Sequence, residues 1–143
     1  AVLGGDPDAR TPYRVARLPG AALWDVADAP VSILSDVSRR VLSERAGFDL
    51  ARRRFRGNLW VDGLAPWEEF DLVGREIAVG SVRLRVTECI GRCNATTANP
   101  ETGSRDVPVP EILREGWGHT DFGVYAQVVA GGTVRPGDPV RPA

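Results

Sequence analysis

The sequence has no lysine and no methionine, and its 143 residues include only two cysteines and one histidine. Without lysine the chain cannot form the aldimine of a Schiff-base or pyridoxal-phosphate enzyme, and it cannot supply the lysine of a P-loop. One histidine and two cysteines are too few for a structural zinc site with four protein ligands. Because the chain does not begin with methionine, we expect a processed product or a fragment of a longer protein.

Long apolar runs and a strong excess of charge are absent as well. No stretch approaches the ~20 apolar residues that span a bilayer, and the N-terminus lacks the apolar core of a signal peptide, so we expect no membrane partner. The formal net charge is −1, whereas nucleic-acid-binding proteins are usually strongly basic, so we expect no nucleic-acid partner. Two cysteines do not make a disulfide framework, which favours a reducing, cytoplasmic compartment.

The composition that remains is typical of one globular domain. Hydrophobic residues make up 43% of the chain and charged residues 26%, which separates it from disordered sequences. Glycine and proline interrupt residues 1–29, as in a connecting segment, and leave room only for a short strand near 13–18. We therefore predict a linker over 1–29 and a domain over 30–143.

Within that domain the pattern predicts short strands and one or two short helices. Apolar residues that recur on one face predict a helix over 36–46, with Ser35 or Asp36 as N-cap and Gly47 as the stop. Residues 82–87 alternate between apolar and polar, which is the period of a half-buried strand. Further strands are predicted at 58–61, 75–79 and 124–129, and a second helix at 110–117. These elements predict a mainly β fold, a β-barrel.

The densest polar cluster spans 88–97 and holds both cysteines, Cys89 and Cys93. A guanidinium such as that of Arg92 stabilises a neighbouring thiolate, the form that ligates soft metals or attacks electrophiles. Gly91 allows the backbone to bend tightly and a ligand to approach closely. Two buried structural cysteines are an equally good interpretation. We expect no disulfide between them, because it would close only a tiny loop.

Two kinds of cysteine enzyme fit this sequence poorly. A cysteine hydrolase would need a base, and His119 is the single imidazole, for which a hydrogen-bonded loop histidine is the favoured interpretation. A phosphatase loop needs an arginine six residues after its cysteine, but Asn99 follows Cys93 and Ala95 follows Cys89 at that distance. The roles of Cys89 and His119 stay open.

The second candidate is the arginine-rich segment 52–56, which carries four guanidiniums in five residues. Such a run is usually a solvated face. If the segment is extended, however, Arg52, Arg54 and Arg56 share one side. A guanidinium fork suits a phosphate or another anion, so we expect at least one of these arginines to bind an anion.

Several motifs in the same order resemble the MOSC domain, the C-terminal domain of molybdenum cofactor sulfurases, which also occurs in the mitochondrial amidoxime-reducing components and their bacterial relatives. The resemblance covers residues 30–141. The motifs are RRFRGNLWVDG at 53–63, RCNATT at 92–97 with NPETG at 99–103, and GDPV at 137–140.

The resemblance implies a β-barrel that binds the molybdenum cofactor, a molybdopterin whose dithiolene sulfurs hold the metal. It implies that Cys93 is the molybdenum ligand and the catalytic thiolate. The Phe-Arg-Pro-Asn motif of the family reads FRGN here, which implies cofactor contacts from Arg56 and Asn58. The further cofactor contacts that it implies are Ser35, Gly91 and Arg92.

Three departures from the family pattern change the expectations. Cys89 lies four residues before Cys93, where many relatives have a cysteine three before, so we give Cys89 no metal role. Gly57 replaces the usual proline. Related reductases carry a preceding β-barrel domain that helps to enclose the cofactor, and residues 1–29 resemble its tail. We therefore expect that N-terminal domain as a partner within the same protein, and a complete cofactor site only with it.

The resemblance implies two functions of different classes. The first is an oxidoreductase that reduces N-hydroxylated or N-oxide substrates with electrons from a separate redox protein. The alternative is a sulfur carrier or cofactor-delivery module with a persulfide on Cys93. A third interpretation is a small binding domain whose thiol is incidental.

Overall fold

The computed structural model describes residues 30–143, which form a curled six-stranded half-barrel sheet with two α-helices. The strands are β1 (Val31–Ser35), β2 (Leu59–Val61), β3 (Glu76–Val79), β4 (Val82–Gly91), β5 (Asp121–Ala130) and β6 (Val140–Pro142). The helices are α1 (Asp36–Ala46) and α2 (Val109–Trp117), and three short 3₁₀ helices are η1 (Arg52–Phe55), η2 (Glu68–Leu72) and η3 (Asn94–Thr97). The prediction of a mainly β fold with one or two short helices is confirmed.

The strand order across the sheet is β2-β1-β5-β4-β3-β6. Strands β1 and β2 run parallel, and every other pair is antiparallel. The predicted helix over 36–46 is confirmed as α1, where Ser35 is the N-cap and Gly47 ends the helix in the left-handed region at φ 65°. The predicted strand near 13–18 and the predicted linker over 1–29 lie outside the described residues.

The two faces of the sheet are covered by two separate apolar clusters. The strand core is Ile33, Val61, Ile77, Val79, Val82, Leu84, Val86, Val124 and Ala126. The helix core, which packs α1 and α2 against the sheet, is Leu34, Leu42, Leu50, Phe55, Ile90, Val107, Val109, Leu113 and Phe122. Because neighbouring residues of a strand face opposite sides, Ile33 and Leu34 of β1 belong to different cores.

An irregularity in β4 changes which residues face each core. Val86 pairs with Ala126 and Glu88 with Tyr125, so Thr87 is the extra residue of a β-bulge. Before the bulge, even-numbered residues such as Val86 face the strand core. After it, Cys89 packs against the strand core and Ile90 belongs to the helix core. The bulge therefore decides which side chains β4 delivers to each face as it ends.

Neither helix of the described part has the length or the apolar character that crossing a bilayer would require.

Candidate functional site

A cavity of about 380 Å³ opens on the helix-core side of the sheet, where β4 ends. Its walls come from β1, β5, the end of β4 and the short helices η1 and η3. The lining residues are Pro30, Ser32, Arg54, Phe55, Arg56, Asn58, Ile90, Gly91, Arg92, Cys93, Ala95, Thr96 and Tyr125. Of the six residues predicted from the sequence, five line this one cavity, namely Arg56, Asn58, Gly91, Arg92 and Cys93.

Cys93 presents an exposed, free thiol to the cavity from a fixed backbone. It follows β4 and is the N-cap residue of η3. Its carbonyl oxygen accepts hydrogen bonds from the backbone N–H of Thr96 at 3.1 Å and from the Thr96 hydroxyl at 2.8 Å. A held backbone with an accessible sulfur is the arrangement that a metal ligand or a nucleophile needs.

Arg92 brings a half-buried positive charge next to Cys93. Its Nε donates to the Phe122 carbonyl oxygen at 2.8 Å, and Nη1 donates to the Phe55 carbonyl oxygen at 3.1 Å. Burial lowers the pKa of this guanidinium to about 10. Among the described residues its acceptors are backbone carbonyls and no carboxylate pairs with it. An anionic ligand in the cavity would therefore meet an uncompensated charge.

Segment 52–56 is not extended, so the expectation that its alternate arginines share one side is wrong. Residues Arg52–Phe55 form η1, and a 3₁₀ turn repeats every three residues rather than every two. Arg52 therefore pairs with Asp36 at 2.9 Å, whereas the side chain of Arg54 is buried. Of the four arginines in this segment, Arg54 and Arg56 line the cavity, and Arg52 and Arg53 do not.

Arg56 ends η1 in a strained backbone conformation. Its φ of 52° and ψ of 38° lie in the left-handed region, which costs a residue other than glycine about 1–2 kcal/mol. Such strain persists where the surrounding structure holds it and is frequent at functional sites. The sharp turn takes the chain from η1 to Asn58 and β2.

Asn58 is held by Ser32, a lining residue that sequence analysis did not identify. The Asn58 Oδ1 accepts from the Ser32 backbone N–H at 2.9 Å and from the Ser32 hydroxyl at 2.8 Å. The Asn58 backbone N–H donates to the Ser32 Oγ at 2.9 Å. These bonds orient the carboxamide so that its Nδ2 donors remain for a ligand. A serine between two apolar residues of β1, Val31 and Ile33, was the available signal.

Ser35 lies outside the cavity lining. It is fully buried at the N-cap of α1, where its Oγ accepts from the Ser38 backbone N–H at 3.2 Å. Ser32 and Ser35 are three residues apart on β1 and so face opposite sides of the sheet. Tyr125 on β5 is a second lining residue that the sequence did not reveal, because it reads there as one more apolar position.

Cys89 and His119 do not line the cavity. Burial raises the pKa of the Cys89 thiol, with a further rise from Asp121 nearby, and this thiol packs against the strand core. His119 accepts the Asp121 backbone N–H on Nδ1 at 3.1 Å and packs edge-on against Trp67 and Phe70. Neither residue therefore lies in the lining that surrounds the Cys93 thiol.

Within residues 30–143 no group of three or more His, Cys, Asp or Glu side chains is arranged to hold a metal ion. A metal in the cavity would thus take Cys93 as its protein ligand from this part of the chain and complete its coordination with groups of another molecule.

Comparison with known proteins finds one matching family and several related proteins. The sequence model of the MOSC domain matches residues 3–141, a range that begins within the predicted linker. The chain is 30% identical over 124 residues to mitochondrial amidoxime reducing component 2 of Bos taurus, covering 78% of the chain and 36% of that protein. It is 34% identical over 103 residues to molybdenum cofactor sulfurase of Anopheles gambiae, covering 71% of the chain and 11% of that protein.

Among solved structures, YiiM from Geobacillus stearothermophilus superposes with a TM-score of 0.62 at 18% identity. The superposition covers 79% of this chain and 53% of that one, and it shows a likeness of fold alone. The chain spans about a third of the length of its amidoxime-reducing relatives.

Proposed function

The chain belongs to the MOSC domain family, and on this premise we propose that it is a molybdenum-cofactor-binding domain whose cofactor lies in the cavity around Cys93. One observation carries the proposal: two separate segments, 54–58 and 92–93, place an exposed thiol, guanidinium groups and an amide that Ser32 orients around a single cavity. The names of the relatives support the same chemistry, since they include a molybdenum cofactor sulfurase.

The donor set of the cavity fits the group. Molybdenum favours sulfur ligands, and the Cys93 thiolate is one that a free, exposed thiol can supply. The cofactor carries a phosphate, for which the Arg56 guanidinium is the complementary donor. The Nδ2 group of Asn58 would bind polar atoms of the pterin, and the half-buried charge of Arg92 would favour the anionic form of the cofactor.

We further propose that the full protein is an oxidoreductase that removes oxygen from N-hydroxylated or N-oxide substrates. The bound cofactor would supply two-electron chemistry at the metal. Reduction of an N–OH group consumes two electrons and two protons and releases water, so a separate redox protein is needed as the electron donor. Within this chain Cys93 would hold the metal, while Arg56, Asn58 and Arg92 would orient the group. A preceding barrel domain would complete the enclosure.

The second candidate is a sulfur carrier with a persulfide on Cys93. The exposure of that sulfur favours it, because a sulfur that is handed to another molecule must be reachable from solvent. The similarity to a molybdenum cofactor sulfurase points in the same direction.

Metal, pterin and sulfane-sulfur analysis of the full-length protein separates the two. The protein is purified from a host that makes the cofactor, as wild type, Cys93→Ser and the matched control Cys89→Ser. Molybdenum and pterin near one per chain, lost in Cys93→Ser and retained in Cys89→Ser, support the oxidoreductase. Sulfane sulfur on Cys93 without molybdenum supports the carrier, and a protein with neither contradicts both.

A further inference from the structure

Arg54 is a buried cation that the proposed chemistry does not use. Its side chain is 1% exposed. Its guanidinium forms an ion pair with Asp106: Nη2 donates to Oδ2 at 3.1 Å, and Nη1 lies 2.8 Å from Oδ1. The hydrogen bonds from Arg54 hold the pKa of the Asp106 carboxyl below its ordinary value. The charge of Arg54 is therefore neutralised, unlike that of Arg92.

The same guanidinium holds the segment that follows Cys93. Nη1 of Arg54 also donates to the carbonyl oxygens of Thr96 at 3.1 Å and Ala98 at 3.0 Å. These carbonyls lie at the end of η3, whose first turn is closed by hydrogen bonds from Thr96 to the Cys93 carbonyl. Arg54 is thus linked to the backbone of Cys93 through one turn of helix.

Asp106 anchors Arg54 to the same segment from the other side. Its backbone N–H donates to the Thr97 carbonyl oxygen at 3.0 Å, and its Oδ2 accepts from the Asn99 side chain at 2.8 Å. The Arg54–Asp106 pair and η3 therefore form one hydrogen-bonded unit.

Arg92, the residue before Cys93, links the N-terminal side of Cys93 to η1. It donates to the carbonyl oxygen of Phe55 at 3.1 Å. Cys93 therefore lies between two links to η1, one from Arg92 on its N-terminal side and one from Arg54 on its C-terminal side. The residue that ends η1 is Arg56.

The geometry points to Arg54 as a positioning residue that, together with Asp106, sets the place of the Cys93 sulfur relative to Arg56 and Arg92. One further observation favours a positioning role over a purely stabilising one. Among residues 30–143 the buried Nε of Arg54 has no hydrogen-bond partner, which costs free energy because a buried donor has lost its hydrogen bond to water. Such a cost is tolerated where the position of the remaining guanidinium nitrogens matters. This role of Arg54 does not depend on a bound cofactor, and it rests only on Cys93 being the reactive thiol of the cavity.

Alkylation of Cys93 by two matched reagents tests the inference. Iodoacetate and iodoacetamide have nearly the same size, and each loses iodide to the thiolate to form a thioether. Only iodoacetate is an anion. Both alkylation rates are proportional to the fraction of Cys93 that is thiolate, so this fraction cancels in their ratio. The ratio therefore reports the positive charge that surrounds the sulfur. All measurements use the full chain with Cys89→Ser, so that one thiol remains.

We expect the iodoacetate-to-iodoacetamide ratio to fall by about threefold or more in Arg54→Gln, because the sulfur is no longer held near the cavity charges. The matched control is Arg53→Gln. It removes the same charge from the same short helix, but Arg53 is exposed and pairs with Glu101 at the surface. In that control the ratio should stay at the wild-type value. A loss of stability alone lowers the melting temperature without changing the ratio of the folded protein.

Two further variants keep the test decisive if Arg54→Gln does not fold. Asp106→Asn retains the arginine but weakens its anchor, and Arg54→Lys retains the charge but cannot reach both carbonyls and the carboxylate. Both should lower the ratio by a smaller factor. Unchanged ratios in the folded variants, or an equal fall in Arg53→Gln, overturn the positioning role. Absence of molybdenum from the protein would contradict the proposed function and leave this result standing.

Discussion

The two cysteines, four residues apart, show how much the surroundings of a single residue decide. Cys93 follows the end of β4 and is exposed in the cavity, whereas Cys89 lies within β4 against the strand core. Burial raises the pKa of the Cys89 thiol, so this sulfur is held in its unreactive form. The difference makes Cys89→Ser a suitable control for any chemistry of Cys93.

Gly57 is the residue that departs from the family motif, and close packing explains it. A Cβ at this position would lie 2.7 Å from the Leu34 Cδ1 and 3.1 Å from the Trp60 Nε1. Leu34 is fully buried and has little room to move.

We expect Gly57→Ala to lower the free energy of unfolding by about 1–3 kcal/mol, because the added methyl overpacks the helix core. Urea denaturation measures the change. Gly131→Ala is the matched control, since no atom of the described residues lies within 4 Å of a Cβ there, and it should change stability little. Equal stability of the two variants would contradict this, because it would show that the Leu34 side chain moves aside without a loss of stability.

Glu69 is a fully buried carboxyl whose Oε1 has no partner among the described residues. Its Oε2 accepts the Ser38 hydroxyl at 2.8 Å. Burial raises the pKa of Glu69 above its ordinary value of 4.5. As pH rises above 4.5, Glu69 therefore loses its proton in the unfolded chain while it stays protonated in the folded chain. Glu69 thus destabilises the fold increasingly until the pH reaches the pKa of Glu69 in the folded chain.

Glu69→Gln keeps an acceptor for Ser38 and removes the charge. We expect this variant to match the wild type near pH 4 and to become progressively more stable than it as pH rises above 4.5. Denaturation at several pH values measures the difference. Glu68→Gln, at the exposed neighbour, removes the same charge without burial. A stability difference that does not grow with pH in Glu69→Gln would contradict the burial effect.

At the scale of elements, one carboxylate joins helix α1 to η1. Asp36, in the first turn of α1, accepts from Arg39 at 2.7 Å, Arg40 at 2.8 Å and Arg52 at 2.9 Å. An acidic residue also stabilises the N-terminal end of a helix through the dipole. The hydrogen bonds from Arg52, and then from Arg39, hold the pKa of Asp36 well below its ordinary value of 3.8.

Because the folded pKa is lowered, Asp36 contributes stability that is present above about pH 4 and is lost as pH falls further. We expect Asp36→Asn to cost about 1–3 kcal/mol at pH 7 and to reduce the loss of stability between pH 4 and 2. Chemical denaturation across this range tests both statements. Asp62→Asn, at the exposed partner of Arg40, should have a small effect, and a comparable cost there would contradict the special role of Asp36.

At the scale of the whole molecule, the cavity exists only because distant segments converge. Strand β1 supplies Ser32, the turn after η1 supplies Arg56 and Asn58, the end of β4 supplies Arg92 and Cys93, and β5 supplies Tyr125. The hydrogen bonds of Arg54 and Arg92 connect η1 to both sides of Cys93. Cofactor retention should therefore depend on each segment separately.

We expect Arg56→Ala in the full-length protein to weaken cofactor retention by more than tenfold, since a hydrogen bond to a charged group is worth about 1.5–3 kcal/mol. Molybdenum and pterin per chain after extended dialysis measure it. Arg53→Ala removes a charge three residues away that lies outside the cavity and should retain the cofactor. Equal retention in the two variants would remove Arg56 from the site.

The sequence by itself determined the features that depend on neighbouring residues. The capped helix α1 between Ser35 and Gly47, the alternation of β4 before Thr87 and the mainly β class follow from local spacing, because caps and strand periods are properties of short segments. The ordered motifs likewise pointed to Arg56, Asn58 and Cys93 before any contact was known.

Only the tertiary structure decided how those segments meet. The 3₁₀ turn of η1 separated Arg52 from Arg54 and Arg56, and the side of β1 that faces the cavity selected Ser32 rather than Ser35. One extra residue in β4, Thr87, turned Cys89 towards the strand core. These outcomes depend on the pairing and packing of distant strands, which no local pattern encodes, and they decide which polar groups share the cavity with Cys93.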